Sequence, residues 1–340
     1  MTTETPKALI QVLDEISRHE TFCIVGHVRP DGDCIGSQVG LALALKGAGK
    51  KVVCWNDDEV PSKLAFMVPN GIFGRPEPGR QFDCVIATDC AAFERLGDTA
   101  AHIASRKVFI NIDHHTGNTR YADINWVNSR KPSTGELIFE LLRTAGWPVT
   151  AAIADCLYTA VSTDTGSFMY PTTTPETYRT AAELVEAGAN LNRICPEVYQ
   201  SYPLSRIRLL RHLFNNFKLT HNNEIAYFWL KKEHFTRSGA SRNEAEGLID
   251  HLRDIDPVLL AVVFEEIEPN QIRLSFRSKN KKLLVNKIAA EFGGGGHHSA
   301  AGARVEGKPM TIQRRVVRAC RAALDAFHEK RAAKHTQTES

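Results

Sequence analysis

The sequence has no run of about 18 apolar residues, the length a membrane-crossing helix requires. A helical membrane protein is thereby excluded, and no membrane partner is expected. The opening Met1-Thr2-Thr3-Glu4-Thr5-Pro6-Lys7 lacks a basic segment followed by an apolar stretch, so no secretory leader is read and the cytoplasm is the expected location. Paired cysteines are also missing. The eight cysteines stand singly, without Cys-x-x-Cys, and Cys23, Cys54 and Cys84 fall in apolar runs where a thiol behaves as a small hydrophobe. Disulfides and structural zinc are not expected. Nor is there a large excess of one charge: a net +3 is too small for a protein that grips long duplex nucleic acid through many phosphates. Short or small anionic substrates remain.

What is present is an ordinary globular composition, 43% hydrophobic over 340 residues, a length that favours two domains. Residues 4–19 read as an amphipathic helix. A strand ending at His27, a helix over 33–46 and a strand over 51–55 then make a βαβ unit. Further strands end at Asp89 and Asp113, followed by helices over 133–145 and 150–164. The predicted class is α/β: an N-terminal parallel-sheet domain (1–195), a linker helix (196–218), a smaller α/β domain (219–330), and a disordered tail (331–340). Within the second domain the pattern predicts strands at 224–231, 258–266 and 271–277, helices at 241–253, 283–291 and 311–328, and a glycine run after the middle helix.

Eight acidic and imidazole side chains, His27, Asp31, Asp33, Asp89, Asp113, His114, His115 and Asp164, lie just past short apolar segments. In open α/β sheets ligands bind at the carboxyl ends of the strands, so these residues are candidates to meet on one rim. Two carboxylates about 4 Å apart repel by roughly 4 kcal/mol at an effective dielectric of 20. The segments bearing Asp31, Asp33, Asp89 and Asp164 offer few basic residues beyond Arg29, which leaves bound cations as the natural partner. Read singly, each motif has a plainer explanation. Asp33 could cap the next helix, Asp89 could start a turn, and a histidine pair is commonly a surface feature.

Taken together and in order, the His-x-x-x-Asp-x-Asp, single Asp, Asp-His-His and Asp-Thr-Gly motifs resemble those of the DHH phosphoesterase superfamily. The resemblance implies that His27 and Asp31 bind one ion, that Asp33, His114 and Asp164 bind a second, and that Asp89 bridges them. It implies catalytic support from Asp113 and a phosphate contact from His115. Oxygen and imidazole donors without thiolate suit divalent Mn2+ or Mg2+ and do not exclude Fe2+, Co2+ or Zn2+, and the resemblance points to a pair of Mn2+ ions. Such a pair would activate water against phosphorus.

In the second domain, Gly293-Gly294-Gly295-Gly296-His297 could bring backbone N–H groups close to an anion, or serve only as a flexible connector. On the strand before it, Ile272, Leu274 and Phe276 alternate with Arg273, Ser275 and Arg277, giving an apolar back and a cationic front. Arg277, Ser278, Arg273, Gly294, Gly295, Gly296 and His297 are the candidate substrate contacts. These motifs resemble the DHH-associated C-terminal domain, and the whole resembles the oligoribonuclease and pAp phosphatase subfamily. That implies hydrolysis of short RNA oligonucleotides to mononucleotides and dephosphorylation of 3'-phosphoadenosine 5'-phosphate, with a homodimer as one assembly known among relatives. The competing readings are a cyclic di-AMP or linear dinucleotide (pApA, pGpG) phosphodiesterase, a manganese inorganic pyrophosphatase, and a nucleotide sensor without activity. A RecJ-like exonuclease would need further binding modules.

Overall fold

Five apolar runs become β1 (Thr21–Val25), β2 (Lys51–Trp55), β3 (Phe82–Thr88), β4 (Arg106–Asp113) and β5 (Ile124–Val127) in the computed structural model, which describes residues 5–338. They form one parallel sheet in the order β2-β1-β3-β4-β5. Because every strand runs the same way, all their carboxyl ends share one rim. The sheet is buried on both faces, which is why its strands read as nearly continuous apolar runs. Phe22, Ile24, Ile86 and Ile110 pack one face beneath helices α1 (Lys7–Arg18) and α2 (Gly32–Gly47), while Val25, Trp55, Val85 and Phe109 fill the other. Burying each such side chain contributes about 1.5–3 kcal/mol.

The remaining helices of this unit are α3 (Thr99–His102), α4 (Thr134–Ala145), α5 (Ala151–Asp164), α6 (Pro175–Glu186) and α7 (Leu191–Tyr199). Helix α2 is buried along nearly its whole length, and its small residues let α5 approach closely. A methyl group at Gly36 would lie 2.4 Å from the Cys156 carbonyl oxygen, so only glycine fits that crossing.

The chain divides into two units, residues 1–201 and 202–340. The second contains α8 (Leu204–Asn216), β6 (Lys218–Thr220), β7 (Ile225–Leu230), α9 (Lys232–Ser238), α10 (Leu248–Arg253), β8 (Leu260–Glu268), β9 (Gln271–Ser278), α11 (Val285–Ala290), β10 (Gly295–Gly296), β11 (Ala300–Glu306) and α12 (Pro309–Thr338). Its sheet runs β10-β11-β9-β8-β7-β6, antiparallel except for β7 against β8.

Several expectations need correction. The expected linker helix is replaced by α7 in the first unit and α8 in the second, where Leu209, Leu210 and Leu213 are buried against Ala226, Phe228 and Leu252. The helix expected over 241–253 is a short 3-10 turn, Arg242–Ala245, and then α10, interrupted at the left-handed Gly247. Helix α12 continues through the expected disordered tail as far as Thr338, and residues 339–340 lie outside the described residues. Residue 4, the expected start of the first helix, lies outside them as well. All eight cysteines are free, and among the described residues no helix is long and apolar enough to cross a membrane.

Candidate metal centre and catalytic site

The rim of the parallel sheet receives side chains from five segments. His27 follows β1, and its Nδ1 lies 2.9 Å from the Val28 carbonyl oxygen. A carbonyl only accepts, so Nδ1 donates there and Nε2 faces the other side. That Nε2 lies 3.4 Å from Asp89 and 3.9 Å from Asp31. Asp31 is the N-cap of α2, accepting from the backbone N–H groups of Asp33 and Cys34. The capping role considered for Asp33 therefore belongs to Asp31.

Asp33, freed from capping, reaches across to α4. Its carboxylate accepts from the Thr134 and Gly135 backbone N–H groups at 2.7 and 2.8 Å and from the Ser37 hydroxyl at 3.0 Å. Asp89, immediately past β3, has a left-handed backbone with φ of 57°, and the Thr134 hydroxyl donates to it at 3.0 Å. Asp113 ends β4, followed by His114 and His115, and Asp164 ends α5. His114 Nε2 stands 3.1 Å from Asp164, 3.5 Å from Asp89 and 3.7 Å from Asp33.

Three sets of donor atoms result, each within 4.8 Å: His27, Asp31 and Asp89; Asp33, His114 and Asp164; and Asp89, Asp113, His114 and His115. All eight residues singled out in the first domain meet here. Asp33, Asp89 and Asp113 are at most 2% exposed, and the ion-pair partners of the five aspartates are histidines. Burial, followed by the charges of Asp89, Asp164 and Asp31, pushes the Asp33 carboxyl well above the ordinary range. Burial and the same crowding by Asp89 and Asp31 raise Asp164. Oxygen and nitrogen donors compressed in this way, without thiolate, fit hard or borderline divalent cations.

Asp113 differs from the other aspartates. Its Oδ1 holds His115 Nδ1 at 2.7 Å, while Asn118 Nδ2 donates to its Oδ2 at 2.6 Å and to Asn111 Oδ1 at 2.7 Å. Burial alone would lower the His115 pKa, but the bond to Asp113 and the charge of Asp89 push it up to about 9. The Asp113 carboxylate thus fixes the His115 ring through Nδ1 and leaves its other nitrogen to face a ligand. Thr134, Gly135 and Asn118 were not foreseen. The helix-start pattern Ser133-Thr134-Gly135 was the available signal, but which carboxylate those N–H groups would serve, 101 residues away, was not.

In the second unit, β9 buries Ile272, Leu274 and Phe276 and leaves Arg273, Ser275 and Arg277 on the other face, in the expected alternation. The glycine run is an edge hairpin, with Gly295 opposite Gly302 and Gly296 opposite Ala301, so it is not a loose connector. A methyl at Gly294 would meet the Gly302 carbonyl oxygen at 2.1 Å, while Gly295 has open space beside it. Register brings Arg277 opposite Ala300, next to this hairpin, with its Nε 3.4 Å from Asp250 and its side chain 30% exposed. His297 is exposed at the hairpin end. Arg273 is held in an ion pair with the buried Glu265, and the Ser278 hydroxyl is engaged by Asn280. Those two candidates are tied into the fold.

Comparison with known proteins agrees with this geometry. Residues 21–161 match the DHH family N-terminal domain, and residues 222–329 match the DHHA1 domain. The chain belongs to the DHH family of phosphoesterases, a class that uses divalent metals. More particularly, it is 31% identical over 312 residues to the bifunctional oligoribonuclease and PAP phosphatase NrnA of Bacillus subtilis, covering 87% of this chain and 92% of that one. The Thermus thermophilus protein of the same name is 31% identical over 309 residues, covering 88% and 89%. Among solved structures, an exopolyphosphatase-related protein from Bacteroides fragilis superposes with a TM-score of 0.84 at 27% identity, over 96% of this chain and 98% of that one.

Proposed function

We propose that this protein is a metal-dependent phosphoesterase that hydrolyses short oligoribonucleotides to mononucleotides and removes a phosphate from 3'-phosphoadenosine 5'-phosphate. The observation that carries the chemistry is the convergence of five aspartates and three histidines on one sheet rim, the aspartates lying in ion-pair range of His27, His114 and His115. The substrate class rests on the two relatives at 31% identity. We assign His27 and Asp31 to one cation, Asp33, His114 and Asp164 to a second, and Asp89 to both, with Mn2+ as the preferred ion. Bound there, such cations supply positive charge that offsets the phosphoryl group and makes water acidic.

The protein's own groups do the rest. Thr134 and Gly135 fix the Asp33 carboxylate by backbone donation, so its orientation does not depend on a mobile side chain. Asn118 and Asp113 hold the His115 ring, which presents an N–H to a phosphoryl oxygen as negative charge develops. In the second unit Arg277, beside the Gly295 hairpin, offers a guanidinium fork to a terminal phosphate.

A panel of substrates incubated with Mn2+ tests the reading: pApA, pGpG, pAp, cyclic di-AMP, a longer RNA and pyrophosphate. Fastest turnover of pApA, pGpG and pAp is expected. Preference for pyrophosphate, for cyclic di-AMP or for the long RNA would replace the proposal with one of those activities.

A further inference from the structure

Just beyond Asp164 the backbone makes an unusual turn. Gly166, Ser167 and Phe168 have φ values of 57°, 55° and 64°, so two side-chain-bearing residues sit in the left-handed region in succession. Such a conformation persists only where the surroundings enforce it. Here Ser167 N–H donates to the Ser162 carbonyl at 2.7 Å, Phe168 N–H to the Thr165 hydroxyl at 3.1 Å, and Tyr170 N–H to the Thr165 carbonyl at 2.9 Å. The turn is thereby folded back on the end of the helix that carries Asp164.

Its product is a ladder of aromatic rings. Phe168 lies 6.0 Å from Tyr158 and is stacked on Tyr178 with centroids 5.5 Å apart and planes 24° from parallel. The ladder ends in solvent: Tyr178 is 57% exposed, with Met169 at 78%. Tyr178 and Met169 are thus large side chains left exposed on the stretch of chain that follows Asp164. Phe168 lies four residues from Asp164, a Cα separation of no more than roughly 14 Å even for extended chain.

We infer that Tyr178, backed by Phe168, is a stacking platform for a nucleobase of the substrate, so that the first unit selects nucleotides over other phosphate esters. The inference rests on the proposed activity, because only a substrate with bases gives the exposed ring its occupant. Every base has a π-face, so a tyrosine platform accepts bases without reading sequence. The carboxylates and imidazoles of the rim hold cations, and it is the cations that attract the phosphate, so these residues leave the base unaccounted for.

The test uses the full-length, Mn2+-loaded protein with Tyr178→Ala and Tyr178→Phe, assayed on pApA and on the same molecule with an abasic 3'-terminal residue. Loss of one stacking partner is expected to raise KM for pApA about tenfold in Tyr178→Ala. Here kcat should stay within about twofold, Tyr178→Phe should match the parent, and KM for the abasic substrate should not change. Equal effects on both substrates, or no effect on pApA, would overturn the platform. So would altered sedimentation of Tyr178→Ala without a base-dependent change in KM, which would make the rings an interface between copies. If the parent protein hydrolyses neither substrate, the proposed function fails. The platform is then decided by binding of a 2-aminopurine dinucleotide, whose fluorescence the parent should quench and Tyr178→Ala should not.

Discussion

The two units treat charge in opposite ways. In the first, Asp33, Asp89 and Asp113 are buried at a sheet rim where histidines are their ion-pair partners, so negative charge accumulates. In the second, Arg273 is matched by buried Glu265, and Arg277 and Arg253 flank Asp250. One unit is built to be completed by cations from outside; the other settles most of its charge internally and keeps one partly exposed guanidinium for an anion. A buried charge without an internal partner is expensive unless something binds it. The location of function can therefore be read from where the fold leaves charge unbalanced.

The strongest way to break this contrast is to remove the shared carboxylate. Asp89→Ala should lower Mn2+-dependent hydrolysis of pApA by at least roughly 10^3-fold. Near-normal kcat in a variant shown by metal analysis to carry its ions would remove Asp89 from the site.

Metal itself should stabilise the first unit. Mn2+ at about a hundredfold excess over its Kd should add about 2.7 kcal/mol to the unfolding free energy, read as a rise in Tm over chelated protein. The pH dependence follows from the raised Asp33 and Asp164 carboxyls. A carboxyl whose pKa is raised on folding favours the native state while protonated, and that advantage is lost as pH climbs through the folded value. In chelated protein the contribution of Asp33 and Asp164 to stability should thus fall as pH rises from the acid side, and the Mn2+-induced shift in Tm should widen. A shift independent of pH would contradict the crowding of these carboxylates.

In the second unit the two arginines sharpen the comparison. Arg277→Ala should raise KM for pApA about 30-fold, the worth of roughly 2 kcal/mol of charge-assisted hydrogen bonding, with little change in Tm. Arg273→Ala should do the reverse. Leaving Glu265 without its partner should cost about 1.5 kcal/mol of stability, less than a fully buried pair because the Arg273 side chain is 28% exposed and Arg242 lies 4.0 Å from Glu265. KM should move less than twofold, and a large KM effect with unchanged Tm would return Arg273 to the substrate site.

Much of the first unit was legible because a parallel sheet writes itself plainly: each apolar run ends in its ligand, as at Val25 before His27 and Thr88 before Asp89. The placing of His27, Asp89 and Asp113 to His115 on one rim followed from that rule, whereas Asp164 arrives from the end of helix α5. Less visible were contacts made by backbone. No side-chain pattern announces that the N–H groups of Thr134 and Gly135 will hold Asp33, and the choice of Asp31 over Asp33 as cap depends on a turn whose path the letters Pro30 and Gly32 only hint at. The second unit was harder. Helix α8 reads as amphipathic whichever unit buries its leucines, and the glycine run looks flexible in a sequence although Gly294 is wedged against β11. Arg273 and Arg277 are equivalent by alternation, and only the neighbouring strand, with Glu265 directly across from Arg273, tells them apart.

The tight crossing at Gly36 has a reach beyond packing. Asp33 rides on the first turn of α2 and Asp164 on the last turn of α5, so the gap between those two helices acts as a gauge for the spacing of two carboxylates that never touch it. Gly36→Ala adds one methyl three residues from Asp33, yet it would force the helices apart and detune the centre as surely as replacing a ligand.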